Sequence, residues 1–392
     1  MILIFEQDLT HYRASFYDFL SSYLKKRLIV VTGDGEPGAF HIIEGEEKRD
    51  FETLKIKRIW FKNKFYFQFL GKKIRALIEN GSVECVIHRG AIRNLSLARE
   101  IQYFKSKGVP VVLRGIGYSN SREFSPKSNL IDYYHYKIVG QSSAYLCYTQ
   151  GSKKVLDRYY DSNKVFVAVN TLNSRLLRSH YDALERVGRD RIKAELGLNR
   201  AKYLIHVGRF SKRKKIEKIV EIYSAVKQRD SDVGLILIGD GPERSRVEGV
   251  VSAKNIEDVI FTGALSSEDL LVSKYIYSSD VFTICGNVGL SINHAFLFGV
   301  PVIAHILPNG EKRPKEYVQG PEHEYLVNGY NGVALPTDGV DAYVEAVFTV
   351  LNDIKFKANA YKYASDFLTV EAMAQGYADS VRYAIRNFEG VS

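Results

Sequence analysis

Residues 285–304 read CGNVGLSINHAFLFGVPVIA, and this stretch decides the fold class. An apolar strand ends near Cys285, a glycine-rich turn follows, and a helix then runs to the glycine stop at Gly299. The next strand opens at Pro301. A strand, a tight turn, a helix and a second strand in this order are typical of a parallel α/β sheet, which binds ligands at the carboxyl ends of its strands.

The same alternation of strand and helix patterns extends over most of the chain. Strands are predicted at 1–6, 27–32, 83–88, 109–114, 144–148, 164–168, 203–207, 233–238, 258–262, 280–284 and 301–305. Helical patterns lie between them, for example at 15–25 and 96–107, and a helix is predicted over 358–387. The sequence therefore predicts two doubly wound, Rossmann-like parallel-sheet domains that face each other across a cleft.

Composition shifts place the domain boundaries. We predict an N-terminal domain over 1–172 and a C-terminal domain over 201–365. The stretch 173–200 is polar, rich in Arg and Asp and without a strand pattern, so it is predicted to connect the domains. The remaining residues, 366–392, are expected to form a helix that packs back toward the N-terminal domain.

Length and charge restrict the classes of function. The 392 residues are too many for one hydrophobic core, and 45% hydrophobic with 26% charged residues is ordinary for a soluble protein. A formal charge of +10 favours phosphate-rich ligands, nucleic acid or an anionic membrane face, and the alternative is merely a soluble surface. Nucleic acid is not expected as a partner, because the basic residues are scattered and no groove-reading module is present.

The sequence also indicates a cytoplasmic location. The opening residues 1–5 form an apolar strand pattern rather than a signal peptide, and no apolar run approaches the ~20 residues that cross a bilayer. The three cysteines, Cys85, Cys147 and Cys285, lie in apolar runs without metal-binding or redox spacing. We therefore expect reduced core cysteines.

Two glycine-rich turns are candidate phosphate sites. Gly208 and Arg209 follow the strand at 203–207, and Lys214 precedes a helix pattern. Arg and Lys grip phosphate oxygens beside helix-terminal amides, although a solvated basic loop gives the same pattern. In the second turn, Gly286 and Gly289 are expected to let the backbone approach a bound donor, and the amides of Gly289 and Leu290 head a helix, where phosphate is expected to bind.

Acidic residues supply a third candidate. Glu322 and Glu324 lie in the loop 320–332, where a carboxylate is expected to accept hydrogen bonds from sugar hydroxyls if the loop faces the cleft. A plain solvent-exposed loop remains the alternative. The only DxD-like match, 230–232, precedes a strand rather than following one, so it is interpreted as a polar turn and no metal site is predicted.

Four segments, 207–214, 235–243, 285–304 and 320–332, together resemble the family-4 glycosyltransferases of the GT-B fold. The resemblance covers 203–352, and more weakly 9–17 and 169–172. It implies that Arg209 and Lys214 hold the donor diphosphate as the catalytic cations and that Gly208, Gly289 and Leu290 line the donor site. It also implies a retaining, metal-independent transfer without a cofactor, in which the nucleotide sugar is the substrate.

The chain departs from that family at two positions. The family typically carries two Glu residues separated by seven others, and Gly286 and His294 occupy those positions here. His294 is expected to replace the second Glu at the donor ribose. Gly286 cannot replace the first, so Asn287, Glu322 or Glu324 is expected to contact the donor sugar, or the choice of donor has changed. We interpret the chain as a divergent active subfamily.

The acceptor is assigned to the N-terminal domain, through His11, Arg13, His88 and Arg93. Aromatic and basic residues alternate over 58–75, which suits either a peripheral membrane contact or a helix packed on the first sheet with its lysines reaching water. A membrane contact implies a polyprenyl-diphosphate-linked saccharide acceptor at the inner face of the cell membrane; a free saccharide is the other acceptor class.

The sequence thus predicts a hexosyl-type glycosyltransferase of cell-surface polysaccharide or glycan biosynthesis. The loss of both family glutamates keeps one alternative open, a non-catalytic GT-B subunit that binds and supports an active glycosyltransferase.

Overall fold

The computed structural model describes residues 1–33, 49–62, 64–118, 123–308 and 317–388. The chain divides into two compact units. Unit 1 comprises Met1–Asn170 and Val370–Ser392, and unit 2 comprises Thr171–Thr369.

The described part of unit 1 contains a mixed sheet of eight strands. They are β1 (Ile2–Phe5), β2 (Leu28–Gly33), β3 (Glu52–Phe61), β4 (Phe65–Phe69), β5 (Cys85–Arg89), β6 (Val111–Arg114), β7 (Ala144–Cys147) and β8 (Val165–Val167). Their order is β4-β3-β2-β1-β5-β6-β7-β8. Neighbouring strands are parallel except β3 and β4, which form an antiparallel hairpin.

Helices cover both faces of this sheet, because its central strands are apolar runs buried on both sides. They are α1 (His11–Leu24), α2 (Lys72–Glu79), α3 (Leu97–Ser106), α4 (Leu130–Gly140) and α5 (Gln150–Leu156), with a short 3-10 helix at Ser162–Lys164. Cys85 and Cys147 are buried, unpaired thiols in this core, as predicted.

The described part of unit 2 contains a wholly parallel six-stranded sheet. Its strands are β9 (Lys202–Val207), β10 (Val233–Ile238), β11 (Val259–Gly263), β12 (Val281–Ile284), β13 (Val302–His305) and β14 (Gly332–Leu335). Their order, β11-β10-β9-β12-β13-β14, is that of the Rossmann fold. The order reverses between β9 and β12, where parallel sheets form ligand-binding crevices.

The helices of unit 2 follow the same alternation. They are α6 (Ser174–Val187), α7 (Arg189–Glu195), α8 (Ile216–Arg229), α9 (Arg244–Ala253), α10 (Leu270–Tyr277), α11 (Ser291–Leu297), α12 (Val340–Asn352) and α13 (Lys355–Phe367), with 3-10 helices at Lys212–Lys214 and Pro321–Tyr325. Two parallel-sheet α/β domains confirm the predicted fold class.

The stretch 173–200, which is predicted to connect the domains, is largely helical. It forms α6 and α7, which are grouped with unit 2. Leu177 and Leu184, seven residues apart, are buried on one face of α6 and form a narrow apolar stripe. The many Arg and Asp residues around them make this stripe difficult to recognise in the sequence. Arg189 also forms an ion pair with Asp280, at 2.8 Å between Nη2 and Oδ1.

The C-terminal tail breaks into two helices instead of one. α13 ends at Phe367 in unit 2, and α14 (Val370–Arg386) lies against β7 and β8 of unit 1. The contact is close at Gly376, where an added Cβ would lie 2.2 Å from the carbonyl oxygen of Val167.

The aromatic and basic stretch 58–75 is not a single helix. It contains the end of β3, all of β4 and the first turn of α2. The alternation of the stretch has a period of two: Arg58 and Gln68 are buried, whereas Ile59 and Phe67 are exposed. The helical interpretation of this stretch is therefore wrong.

Candidate functional site

Lys214 lies at the point of unit 2 where the strand order reverses. β9 ends at Val207, and the N–H of Gly208 donates to the carbonyl of Ile238 at 2.9 Å. The chain then passes through the exposed Arg209 into the 3-10 helix Lys212–Lys214. The ammonium of Lys214 crosses to the turn after β12, where it donates to the carbonyl of Asn287 at 2.6 Å.

Glycine at 286 permits this crossing. A Cβ added there would lie 2.0 Å from the carbonyl oxygen of Arg213 and 2.7 Å from Cα of Lys214, distances that no side chain tolerates. In the same contact, the N–H of Asn287 donates to Arg213 at 3.0 Å. The backbone of the 213–214 segment therefore excludes a glutamate, or any other side chain, at position 286.

The Lys214 ammonium also faces the turn at Gly289. A Cβ added to Gly289 would lie 3.6 Å from Nζ of Lys214. Among the described residues, no backbone carbonyl outside the helix accepts from the N–H groups of Gly289 and Leu290. A cation beside two such amides is an arrangement suited to phosphate oxygens.

A buried carboxylate lies near this cation. Glu322 is 5% exposed, and its charge favours the protonated Lys214. Burial nevertheless lowers the pKa of Lys214 below its usual value, and Glu322 offsets this lowering only in part. An anionic ligand at Lys214 would add further compensation.

Gln319 and Asn287 hold the Glu322 loop against the glycine turn. Gln319 accepts a hydrogen bond from the N–H of Val288 at 2.7 Å, and Oδ1 of Asn287 accepts from the N–H of Gly320 at 3.0 Å. A Cβ added to Gly320 would lie 2.6 Å from Oε2 of Glu322. Sequence reasoning missed Gln319, since only its position before Gly320 could have drawn attention to it.

Glu324 is separated from this group. It is half-buried, and its charge acts on Tyr363 of α13, where it contributes, after burial, to raising the pKa of the phenol. The structure thus brings Gly208, Lys214, Gly286, Asn287, Gly289 and Glu322 together and places Glu324 against a different helix.

His294 lies inside unit 2 rather than at the turn. Its side chain is 2% exposed, and Nε2 donates to the carbonyl of Ser267 at 2.7 Å. Burial lowers the pKa of His294 to about 4, despite the opposing hydrogen bond to Ser267, so the ring is neutral. This burial argues against a direct ribose contact: the ring connects α11 to the loop before α10.

His206, which sequence reasoning did not select, lies beneath the Gly208 turn. Its Nδ1 donates to the carbonyl of Thr283 at 2.8 Å, and Nε2 has no hydrogen-bond partner among the described residues. Burial, together with the charge of Lys214, lowers the pKa of His206 to about 4. A neutral ring so close to Lys214 adds no competing positive charge.

The predicted acceptor residues of unit 1 are in two environments. His11 is exposed at the start of α1, whereas Arg13 is buried and donates to Oδ1 of Asn170 at 2.6 Å. Nearby, Arg114 pairs with Glu6 at 2.6 Å. Burial alone would raise the pKa of Glu6, but the charges of Arg114 and Arg13 lower it to about 2.

His88 and Arg93 support the β3–β4 hairpin. His88 is buried and stacks on Phe5 with ring centroids 4.7 Å apart, while its Nε2 accepts from Gln68 at 3.0 Å. Arg93 donates to the carbonyl of Lys64 at 2.5 Å. The packing of His88 argues against acceptor contact, and the role of Arg93 stays a prediction.

The described residues contain neither a metal-binding cluster nor a membrane-spanning helix. No group of three His, Cys, Asp or Glu side chains is arranged to hold a metal ion there. In the same residues, no helix combines the length and the apolar character that crossing a bilayer requires.

Most of the curated proteins that are similar to this chain are named as glycosyltransferases. An N-acetyl-alpha-D-glucosaminyl L-malate synthase of Bacillus anthracis is 31% identical over 117 residues, 29% of each chain. An alpha-D-kanosaminyltransferase of Streptomyces kanamyceticus is 24% identical over 176 residues, 44% of this chain and 42% of the relative. The matches thus span less than half the length of these relatives.

Solved structures match over nearly the whole chain. A glycosyltransferase from Rickettsia africae has a TM-score of 0.72 at 14% identity and covers 98% of both chains. Anabaena HepE, in a complex with UDP, has a TM-score of 0.68 at 15% identity, covering 97% of this chain and 100% of that chain. These likenesses show the GT-B fold. Residues 188–367, which make up most of unit 2, match the family model described as "Glycosyl transferases group 1".

Proposed function

We propose that the protein is a glycosyltransferase that moves a hexosyl group from a nucleotide-diphosphate sugar to a saccharide or a lipid-linked saccharide. The observation that carries the proposal is the Lys214 ammonium, which is held between the carbonyl of Asn287 and the Gly289 turn. The group 1 glycosyltransferase match over residues 188–367 supports it. The complex of HepE with UDP favours uridine as the first base to test.

In this proposal, Lys214 and Arg209 stabilise the leaving diphosphate as negative charge develops on it. Electrostatic stabilisation of this kind is typically a large contribution to catalysis, and it needs no metal when cations and amides are already in place. The amides of Gly289 and Leu290 supply the remaining donors. Glu322 accepts a hydrogen bond from a donor-sugar hydroxyl, in place of the glutamate that Gly286 excludes. Transfer with retention is part of the proposal and follows from the family resemblance.

We assign acceptor binding to unit 1, with His11 as the exposed candidate. A polyprenyl-diphosphate-linked saccharide is the acceptor class that fits a peripheral membrane contact through 58–75. The corresponding location is the cytoplasmic face of the membrane, and the corresponding process is the synthesis of cell-surface polysaccharide.

The donor site is tested by calorimetric titration of UDP, GDP and UDP-sugars in the presence of a chelator. We expect one nucleotide family to bind, and Lys214→Gln to weaken it about tenfold to a hundredfold, since a charge-assisted hydrogen bond contributes about 1.5–3 kcal/mol. Lys212→Gln is the matched control, because it removes an exposed charge two residues away. Wild-type affinity in a folded Lys214→Gln protein would reject the site.

A non-catalytic GT-B subunit is the second candidate. It is favoured by one observation: Gly286 and His294, which stand where the resemblance implies two glutamates, both have packing roles. Nucleotide binding without hydrolysis or transfer to any acceptor, together with a stable complex with an active transferase, would select this candidate over the enzyme.

A further inference from the structure

The β3–β4 hairpin of unit 1 has two chemically different faces. Its inner face is fixed to the sheet: Arg58 donates to the carbonyls of Gln7, at 2.5 Å, and of Glu6. Gln68, paired with Arg58 across the hairpin, donates to Glu100 at 3.0 Å. The buried polar contacts hold the hairpin in one orientation, so its other face is a fixed surface.

That outer face is apolar although it faces solvent. It consists of every second residue of the hairpin: Lys55, Lys57, Ile59, Phe61, Phe65, Phe67 and Phe69. Four of these apolar side chains, Ile59, Phe61, Phe67 and Phe69, are between 46% and 56% exposed. Cross-strand pairing places Ile59 beside Phe67 and Phe61 beside Phe65, which makes one continuous ladder.

The sequence segment that contains the ladder carries charges of a single sign. No Asp or Glu occurs in the sequence between Glu52 and Glu79. The described residues of this segment include several exposed cations: Lys55, Lys57, Lys62, Lys64, Lys72, Lys73 and Arg75. Two of them lie over rings of the ladder, Lys62 over Phe61 at 5.5 Å and Lys64 over Phe65 at 5.7 Å. The surface is thus complementary to a negatively charged, partly apolar partner.

The outer edge of β4, the last strand of the sheet, is covered by residues 93–96. The N–H of Tyr66 donates to the carbonyl of Arg93, and the N–H of Leu95 donates to the carbonyl of Tyr66, both at 2.9 Å. Oγ of Ser96 accepts from the N–H of Gln68 at 2.9 Å. Since these contacts occupy the edge, a second copy cannot extend the sheet there by strand addition. The face remains as the docking element.

We propose that this outer face docks on an anionic lipid bilayer, with Phe61 and Phe67 among the rings at headgroup depth and the lysines against lipid phosphates. Aromatic side chains prefer that depth, and basic side chains bind the negative leaflet. The inference rests on the proposed membrane contact of the enzyme, and it names the face and the lipid chemistry. A protein partner is disfavoured, because it would have to present an acidic rim around an apolar centre.

The experiment is co-sedimentation of the full chain with phosphatidylcholine vesicles, with and without about a third phosphatidylserine. Wild type should bind the phosphatidylserine vesicles at least tenfold more tightly than the neutral ones. The double variant Phe61→Ser/Phe67→Ser should bind at least tenfold more weakly than wild type, and Lys55→Gln/Lys57→Gln should lose most of the preference for phosphatidylserine. Phe367→Ser is the matched control, since Phe61 and Phe367 are both 56% exposed.

Several outcomes would overturn the inference: no binding of wild type to phosphatidylserine vesicles, equal binding to both compositions, or wild-type binding by the Phe61/Phe67 variant. Loss of self-association or of a protein partner in that variant, without a change in vesicle binding, would assign the face to protein docking instead. UDP titration of each variant separates this from the donor site. If the protein binds UDP as expected but does not bind vesicles, the membrane-docking face is rejected and the proposed donor site is not.

Discussion

Gly286→Ala is the most direct test of the donor-site geometry. The added Cβ would lie 2.0 Å from the carbonyl oxygen of Arg213, so the 213–214 segment must move. Overpacking of this kind costs about 1–3 kcal/mol. Breaking the hydrogen bond from Asn287 to Arg213 adds about 1 kcal/mol. Because Lys214 is carried by the same segment, its ammonium should leave the Gly289 turn. We therefore expect unit 2 to lose about 2–4 kcal/mol of stability and its nucleotide affinity.

The assay is thermal unfolding with and without UDP. For a unit of this size, 1 kcal/mol corresponds to about 2–4 °C, so the midpoint should fall by roughly 4–16 °C and the UDP-induced shift should shrink. Gly249→Ala is the control: Gly249 is an exposed residue of α9, and an added Cβ meets nothing within 4 Å. That substitution should raise helix stability by about 0.5–1 kcal/mol. A Gly286→Ala protein with an unchanged midpoint and UDP shift would refute the packing argument.

Three further predictions concern the same unit. Glu322→Gln should lower kcat about tenfold with less effect on UDP affinity, because its proposed partner is the sugar; an equal loss in both would indicate that it only positions Lys214. His294→Ala removes the hydrogen bond to Ser267, so the unfolding midpoint should fall by several degrees while the Kd for UDP stays the same. A raised Kd for UDP without a loss of stability would instead support a contact between His294 and the ribose. Burial lowers the pKa of His206 and His294 from 6.5 to about 4. The unfolded chain takes up protons first, so stability should fall as pH drops from about 6.5 to 4, by up to about 3 kcal/mol per histidine, as urea unfolding at each pH would measure.

The sheets were predictable because their strands are buried on both faces. Runs such as 203–207 and 233–238 consist mostly of apolar residues, and every predicted strand is present. The β3–β4 hairpin escaped prediction because apolar residues occur on both its buried and its exposed faces, which hides the period of two. β14 was also not predicted. It is short, Gly332–Leu335, and the Asn- and Gly-rich residues before it indicate a turn rather than a strand.

The types of residue that form the candidate site could be predicted from the sequence, but most of the contacts between them could not. A glycine turn, a cation and a helix start at fixed spacing indicated Lys214 and Gly289, which are close together. The sequence contained no sign that the Arg213 backbone lies against Gly286, because that contact joins loops 73 residues apart. Nor did helical spacing reveal that His294 faces the Ser267 loop: the direction of a side chain around a seven-residue helix depends on what packs beside it.

The glycine at 286 and the position of Lys214 have the same structural cause. The 213–214 backbone occupies the space of any side chain at 286, and the same approach carries the ammonium to the carbonyl of Asn287. A glutamate at this position would require the 213–214 segment, and with it the lysine, to lie farther from the turn. Glu322, a buried carboxylate whose charge acts on Lys214, lies in a loop that Asn287 holds in place. Glycine at 286 is therefore compatible with the proposed donor site, in which Glu322 makes the contact with the sugar.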